Sequence, residues 1–173
     1  MLRGFFLCLM FLLTSCGFHL RGAVNPSPEL KQVYIQTATP YDEITRAIRN
    51  SLQLSGVNIT SRENARVILA ILNVQQSQQQ TNVSSTQQTR QFNLNYSITF
   101  QLLDVKGNAI ITPQSVSETR SLTVQADATL AGSNEAQTLY QQMRPALVFD
   151  LMQRLSSKQM TQRINTYFKK PQA

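Results

Sequence analysis

The residue with the most specific chemistry in this sequence is Cys16, which closes the segment Leu13-Thr14-Ser15-Cys16. Upstream lie the basic residue Arg3 and an apolar run from Phe5 to Leu13. That run is too short to cross a bilayer as a permanent helix, which needs about 20 apolar residues. It has the length of a secretory h-region, and small residues follow it at the place of cleavage. A leucine, two small residues and a cysteine in this order are typical of a bacterial lipobox.

The residue type is explained by the chemistry, because a thiol at this place can take a diacylglyceryl group before cleavage makes Cys16 the new N-terminus. Stable membrane anchoring takes more than one acyl chain, which such an N-terminus provides. The sequence therefore predicts a signal peptide over 1–15 and a lipid anchor at Cys16. The alternatives are an ordinary signal peptide with a chance cysteine and a buried N-terminal helix. Gly17, rather than an aspartate, at the position after Cys16 favours sorting to the outer membrane, as bacterial lipoproteins behave as a class, and the expected location is the periplasmic face of that membrane.

The remaining residue types argue against an enzyme, a metal site and a cofactor site. His19 is the only histidine, whereas a zinc site needs three or four ligands. Carboxylates are scattered singly, and the six glycines are spread along the chain, so neither a nucleophile–base set nor a phosphate loop is visible. The net charge is +7, but only 14% of residues are charged. This mild basic bias does not indicate a nucleic-acid partner.

The rest of the chain is predicted to form a tether over 16–30, a single α/β domain over 31–156 and a polar, basic tail over 157–173. That tail has a weak apolar patch at Ile164, Tyr167 and Phe168, and we expect it to fray. The domain opens with a strand over 31–37. A helix follows, with Thr39 as N-cap, Pro40 at its first position and Gly56 at its end. The apolar segment 66–74 supplies a second strand.

An uncharged polar segment, 75–89, comes next and leaves two interpretations open. It is either a disordered or long polar loop, or the extension of both flanking strands into a polar hairpin suited to docking inside a hydrated protein cavity. Strict alternation between Gln91 and Leu102 then predicts a strand with one buried face. A last strand runs from about Ala109 to Val124, and Pro113 within it indicates an edge or a bulge.

The final helix is predicted after Ser133 or Asn134, either of which can cap it. One ridge of apolar residues repeats every four positions along it: Leu139, Met143, Leu147, Leu151 and Leu155. Pro145 is expected to kink or divide this helix. The order β-α-β-β-β-α predicts an α+β fold, an α/β sandwich in which a four-stranded, mostly antiparallel sheet carries two helices on one face. Its other face is then solvated or docked.

Three segments resemble one known family. Cys16-Gly17-Phe18-His19-Leu20-Arg21 is similar to the first mature residues of the outer-membrane lipopolysaccharide-assembly lipoproteins called LptE. The helix from Ile44 to Val57 and the segment Leu130–Glu135 also fit that family. The resemblance covers Cys16 to about Leu155.

This resemblance implies a non-catalytic plug inside a large outer-membrane β-barrel of the LptD type, assisting lipopolysaccharide assembly. It also implies basic residues that touch lipopolysaccharide phosphates, a role for which guanidinium groups are suited. Arg90 matches the first of these positions approximately, with a solvated strand end as the alternative, whereas Gly132 stands at the second. The alternative function is a lipid-binding auxiliary lipoprotein of an envelope transport system without a barrel partner.

Overall fold

Five strands form one mixed sheet that carries three α-helices in the computed structural model, which describes residues 26–83, 89–125 and 129–169. The strands are β1 (Gln32–Gln36), β2 (Asn58–Ile59), β3 (Val67–Val83), β4 (Thr89–Leu103) and β5 (Ala109–Gln125). The helices are α1 (Glu43–Leu54), α2 (Thr129–Leu155) and α3 (Lys158–Lys169). The spatial order is β2-β1-β3-β4-β5, parallel from β2 to β3 and antiparallel from β3 to β5.

The predicted α+β class is confirmed, but the counts of four strands and two helices are wrong. The additional strand, β2, has two residues that pair with β1, and so short a strand leaves no periodicity to detect. The additional helix, α3, replaces the fraying expected in the tail. Its residues Met160, Ile164 and Phe168 recur every four positions and pack on the core, so the tail does have an apolar stripe.

Helix α1 packs Ile44, Ile48 and Leu52 on the sheet, as its periodicity predicts. It begins at Glu43 after Asp42, not at the predicted Thr39-Pro40. The carbonyl of Thr39 accepts hydrogen bonds from the Asp42 N–H and the Thr45 hydroxyl, so these residues form a turn before the helix. The predicted stop is confirmed, because Gly56 has a φ of +79°, a conformation that glycine adopts without strain.

Helix α2 begins at Thr129, earlier than the predicted Ser133 or Asn134, and continues to Leu155. It is not divided at Pro145, which lies exposed within it. Since proline lacks an N–H, one intrahelical hydrogen bond is missing there, and the packing of the flanking turns keeps the helix continuous. The predicted ridge is confirmed: Met143, Leu147, Leu151 and Leu155 are buried, and Leu139 is half-buried.

Strands β3 and β4 decide between the two interpretations of the polar segment. Strand β3 runs to Val83 and β4 begins at Thr89, so the polar segment is a hairpin whose strands pair from Gln75 to Arg90. Residues 84–88 lie outside the described chain. Pro113 lies in β5, the last strand of the sheet, where the pairing with β4 shifts register. Both of its predicted settings, an edge and a bulge, are therefore confirmed.

The turn between β4 and β5 ties the base of the sheet to α3. Asp104 is 3% exposed as a residue. Its carboxylate accepts hydrogen bonds from the Asn108 backbone N–H and side chain and from the Tyr167 hydroxyl. Burial alone would raise the pKa of Asp104, but these hydrogen bonds outweigh it and lower that pKa below 3.8. The Arg66 guanidinium also lies over the Phe168 ring at 5.0 Å, which adds a second contact to α3.

Candidate functional site

Three strands continue beyond the part of the sheet that β1 and β2 belong to. The pairing of β1 with β3 ends at Ala70, and past it β3, β4 and β5 form a three-stranded extension that we call the ribbon, residues 71–83, 89–100 and 114–125. A bulge at Leu72 starts it, because Ile71 pairs with Phe100 and Asn73 with the next residue, Thr99. This one-residue insertion turns the odd-numbered residues of β3 away from the helices.

The outer face of the ribbon, which is the face away from the helices, carries only uncharged polar side chains along its length. Directly opposite residues of the three strands share this face. Side-chain hydrogen bonds on this face join β4 and β5. They run from Asn95 to Thr119 (3.2 Å), between Thr99 and Ser115 (2.9 Å) and from Ser121 to Asn93 (3.2 Å). The main members of the face are Asn73, Gln75, Ser77, Gln79, Asn93, Asn95, Ser97, Thr99, Ser115, Ser117, Thr119 and Ser121.

The inner face of the ribbon is apolar where α2 covers it. Leu94 and Leu122 are buried there, and the Tyr96 and Tyr140 rings meet edge to face with centroids 5.8 Å apart. The Tyr140 hydroxyl donates a 2.8 Å hydrogen bond to the Ser77 carbonyl, which ties α2 to β3. Burial raises the pKa of Tyr140 above its ordinary value. The ribbon is thus braced on one face and exposed on the other.

Arg90, the predicted lipopolysaccharide contact, lies in β4 at the far end of the ribbon, where it is exposed and pairs with Val83 and Val124. It shares the inner face with Phe92 and Leu94, beyond the point where α2 buries that face. Helix α2 begins four residues after Gln125, which pairs with Thr89, and has no acidic residue in its first turn. The positive end of its dipole therefore lies at the same end of the ribbon as Arg90.

A second guanidinium, that of Arg120, was not singled out by sequence reasoning. It is exposed on β5, opposite Leu94 and on the same face as Arg90. Arg90 pairs with Val124, four residues beyond Arg120 on β5, so the two arginines are about 13 Å apart along the strand direction. Its signal in the sequence is that it falls at the same period-two positions as Val116, Leu122 and Val124. A charge in phase with inward-facing apolar residues marks where the inner face becomes solvated.

A recess of about 500 Å³ lies at the root of the ribbon, between the start of α1, the bulge of β3 and α2. Its charged lining consists of Arg144, which forms an ion pair with Glu43, and Asp42. Because two carboxylates offset one guanidinium, this recess does not attract a phosphate. Among the described residues, the exposed guanidinium of Arg90 at the far end of the ribbon is therefore a better candidate for an anion contact than this recess.

Cys16, the predicted lipidation site, lies outside the described residues, as do His19 and the whole segment 1–25. Gly132 falls in the first turn of α2. Among the residues with described positions, no cluster of three or more histidine, cysteine, aspartate or glutamate side chains could hold a metal ion. The same residues include no helix that is both long and apolar enough to span a membrane.

Solved structures of similar fold include two bacterial lipoproteins. Uncharacterized lipoprotein B of Nitrosomonas europaea superposes with a TM-score of 0.64 at 24% identity, covering 81% of this chain and 90% of that one. The rare lipoprotein B of Shewanella oneidensis gives 0.61 at 20% identity, with coverage of 79% and 98%. At these identities the likeness establishes the fold alone.

Sequence relatives carry a functional name. The LPS-assembly lipoprotein LptE of Yersinia enterocolitica is 32% identical over 142 residues, which are 81% of this chain and 68% of the relative. That of Pectobacterium atrosepticum is 29% identical over 140 residues, which are 81% and 76% of the two chains. The profile of the family described as LptE, lipopolysaccharide-assembly, matches residues 30–155. The chain therefore belongs to the LptE family of lipopolysaccharide-assembly lipoproteins, which are not enzymes.

Proposed function

We propose that this chain is anchored in the outer membrane through Cys16, facing the periplasm, and plugs an LptD-like β-barrel while it contacts lipopolysaccharide with Arg90. The observation that carries the proposal is the outer face of the ribbon, which is long, uncharged and polar. Family membership supplies the process, which is lipopolysaccharide assembly, and the ribbon supplies the surface that suits the barrel.

The outer face fits a hydrated lumen because of its residue types. The lumen-facing side of an outer-membrane barrel is polar, whereas its lipid-facing side is apolar. Serine, threonine, asparagine and glutamine exchange hydrogen bonds with water for hydrogen bonds with such a wall at little cost, and each can both donate and accept. A charged side chain in the same contact would lose its hydration without a matched partner. The absence of charge along the described outer face is therefore a requirement of the proposed contact.

The tip of the ribbon fits an anionic ligand. Arg90 is exposed there, and the positive end of α2 lies at the same end of the ribbon. A guanidinium donates two parallel hydrogen bonds to a phosphate, and a helix N-terminus favours negative charge. The phosphates of lipopolysaccharide are the anions that the family membership points to. Arg120, on the same face, would extend this basic strip toward the core of the sheet.

The anchor is tested by replacing Cys16. We expect Cys16→Ala to accumulate as unprocessed precursor or to appear in the soluble periplasmic fraction, because without the thiol no diacylglyceryl group can be attached. The measurement is metabolic labelling with palmitate together with membrane fractionation. Cys8→Ala, which changes the cysteine of the apolar run, is the matched control and should be labelled normally. Undiminished labelling of Cys16→Ala would contradict the anchor.

The barrel is tested by copurification. The tagged full-length protein should bring down an integral outer-membrane β-barrel, and Gln79→Lys, which puts a charge on the outer face of the ribbon, should reduce the yield of that barrel several-fold. Gln53→Lys makes the same change at an exposed position near the C-terminal end of α1 and should leave the yield unchanged.

Unchanged melting temperatures would show that both lysine variants fold. The competing function, a lipid-binding auxiliary lipoprotein without a barrel, predicts that no barrel copurifies with any of the three proteins. It also predicts lipid binding that does not depend on the outer face of the ribbon.

A further inference from the structure

A groove of about 540 Å³ lies at the base of the sheet, between α3 and the first residues of β5. Its floor is apolar, because the half-buried Ile110 and Tyr167 line it together with the buried Ile111. A volume between about 300 and 1,000 Å³ is typical of sites that take a small molecule. The rim of the groove is polar and exposed, and consists of Thr112, Gln159, Gln162, Arg163 and Thr166.

Helix α3 forms one wall of this groove because of its periodicity. Its apolar stripe faces the core, and the residues one position earlier in each turn form a row beside that stripe: Gln159, Arg163 and Tyr167. The Tyr167 hydroxyl is hydrogen-bonded to Asp104, and the Tyr167 ring meets that of Phe168 edge to face with centroids 5.5 Å apart. These contacts hold the wall in place, so little conformational entropy is lost when a ligand binds.

Arg163 gives the groove a positive charge that its described lining does not offset. No carboxylate lines the groove, and α3 has no acidic residue between Lys158 and Lys169. The ion pairs of the described chain do not include Arg163. The recess at the root of the ribbon differs in this respect, because carboxylates outnumber its guanidinium. An apolar floor beside an unpaired guanidinium suits an amphiphile in which a phosphate stands next to hydrocarbon.

The groove and Arg90 lie at opposite ends of β5. Ile111 is about 40 Å along this strand from Val124, which pairs with Arg90. The apolar band of an outer-membrane barrel is only about 25 Å tall. With the ribbon inside the lumen, as proposed above, the groove therefore lies toward the periplasm. A molecule that enters the lumen from the periplasm then meets the groove before it meets Arg90.

We propose that this groove binds lipopolysaccharide on the periplasmic side, with Arg163 on a phosphate and the apolar floor against the adjacent acyl chain. The periplasmic placement and the choice of ligand rest on the proposed function. A guanidinium donates two parallel hydrogen bonds to a phosphate, and the amides and hydroxyls of the rim supply further donors. The family profile ends at Leu155, whereas α3 begins at Lys158, so the groove is built partly from a segment beyond that profile.

The groove is tested by photocrosslinking purified full-length protein to labelled lipopolysaccharide in detergent, without the barrel. A photoreactive residue at Gln159, on the rim, should form a lipopolysaccharide adduct. Arg163→Ala in the same protein should reduce that adduct about tenfold, because the phosphate contact is lost. Lys158→Ala, which removes an exposed charge outside the groove lining, is the matched control and should leave the adduct unchanged. Thermal melts check that each variant folds.

Unlabelled competitors test the two parts of the ligand separately. Intact lipopolysaccharide should displace the adduct, whereas dephosphorylated and deacylated forms should each need at least tenfold higher concentrations. A deacylated form that competes as well as the intact one would exclude the apolar floor as a contact. Phosphatidylglycerol that competes as well as lipopolysaccharide would overturn the choice of ligand. Equal losses from Arg163→Ala and Lys158→Ala, or from Arg163→Ala and Arg90→Ala, would overturn a separate site at the groove.

Failure of this proposal and failure of the proposed barrel contact give different results. The assay contains no barrel, so the absence of an adduct at Gln159 overturns the groove while copurification of a barrel still supports the plug. If the adduct forms and no barrel copurifies, binding by the groove is supported, and its placement below a lumen is overturned.

Discussion

At the scale of single residues, the most informative contact is the one proposed for Arg90. Its side chain is exposed at the end of β4, where it supports no described core residue. A charge-assisted hydrogen bond to a phosphate is worth about 1.5–3 kcal/mol when partly shielded from water and much less when fully solvated. If Arg90 binds phosphate, its replacement should lower the affinity for lipopolysaccharide, whereas if it is structural, its replacement should lower the free energy of unfolding.

Arg90→Ala should weaken lipopolysaccharide binding about tenfold, which corresponds to about 1.4 kcal/mol, and change the free energy of unfolding by less than about 0.5 kcal/mol. The measurement is a titration of the full-length protein with lipopolysaccharide, accompanied by thermal melts. Arg62→Ala, which removes the same charge from an exposed position before β3, is the matched control. Dephosphorylated lipopolysaccharide should bind wild type and Arg90→Ala equally. A large fall in melting temperature would make Arg90 structural, and unchanged binding would exclude it as a contact.

At the scale of elements, α3 is held at the base of the sheet by its apolar stripe and by the hydrogen bond from Tyr167 to Asp104. Met160 and Ile164 are buried against the core, and the Tyr167 hydroxyl donates at 2.8 Å. That hydrogen bond, followed by burial, raises the pKa of Tyr167 above 10.0. Protonation of the Asp104 carboxylate therefore weakens this hydrogen bond at low pH, whereas Tyr167 keeps its proton through the neutral range.

Tyr167→Phe should lower the free energy of unfolding by about 1–2 kcal/mol at pH 7, because a partly buried hydrogen bond to a charged group is lost. The pKa of Asp104 is lowered in the folded state, so its contribution is complete above its unfolded value of 3.8 and is lost as the pH falls through the folded value. The difference between wild type and variant should therefore shrink below pH 3.8 in denaturant melts. Tyr41→Phe, at an 89% exposed position, is the control. A difference that grows in acid would contradict this interpretation.

Elements with strong local signals were predictable from the sequence, and elements defined by tertiary contacts were not. Alternation in β4 and the four-residue ridge of α2 both lie where the pattern placed them. Helix α3 was missed because its stripe is short and its tyrosine acts through a carboxylate far away in the sequence. The start of α1 was misplaced because Thr39 and Pro40 are equally suited to a turn.

The same limit explains what was and was not predicted of the candidate site. Arg90 was chosen from a family resemblance, but its face of the sheet depends on strand pairing. The bulge at Leu72 determines which side chains of β3 face outward. No turn residue or change of pattern in the sequence predicts this bulge. Continuity of α2 through Pro145 likewise depends on packing on both sides of the proline, which local propensity does not include.

At the scale of the whole molecule, the inner face of the ribbon packs against α2, and the outer face is left exposed. Helix α2 covers the inner face and keeps the three strands in place, so the outer face is presented without requiring a ligand to order it. A preorganised polar surface loses little conformational entropy on docking, which favours binding over a flexible polar loop of the same composition. The distinction matters because the sequence alone left the flexible loop open as an alternative.

We propose that the outer face of the ribbon lies against the wall of an outer-membrane barrel. The most direct measurement is photocrosslinking in living cells from a photoreactive residue at Asn95, in the middle of that face, with Glu63, in the loop before β3, as the matched control position. We expect an adduct with a large integral β-barrel protein from Asn95 and little or none from Glu63. A photoreactive residue at Asn95 that labels no barrel, in a variant that still folds and reaches the outer membrane, would contradict it.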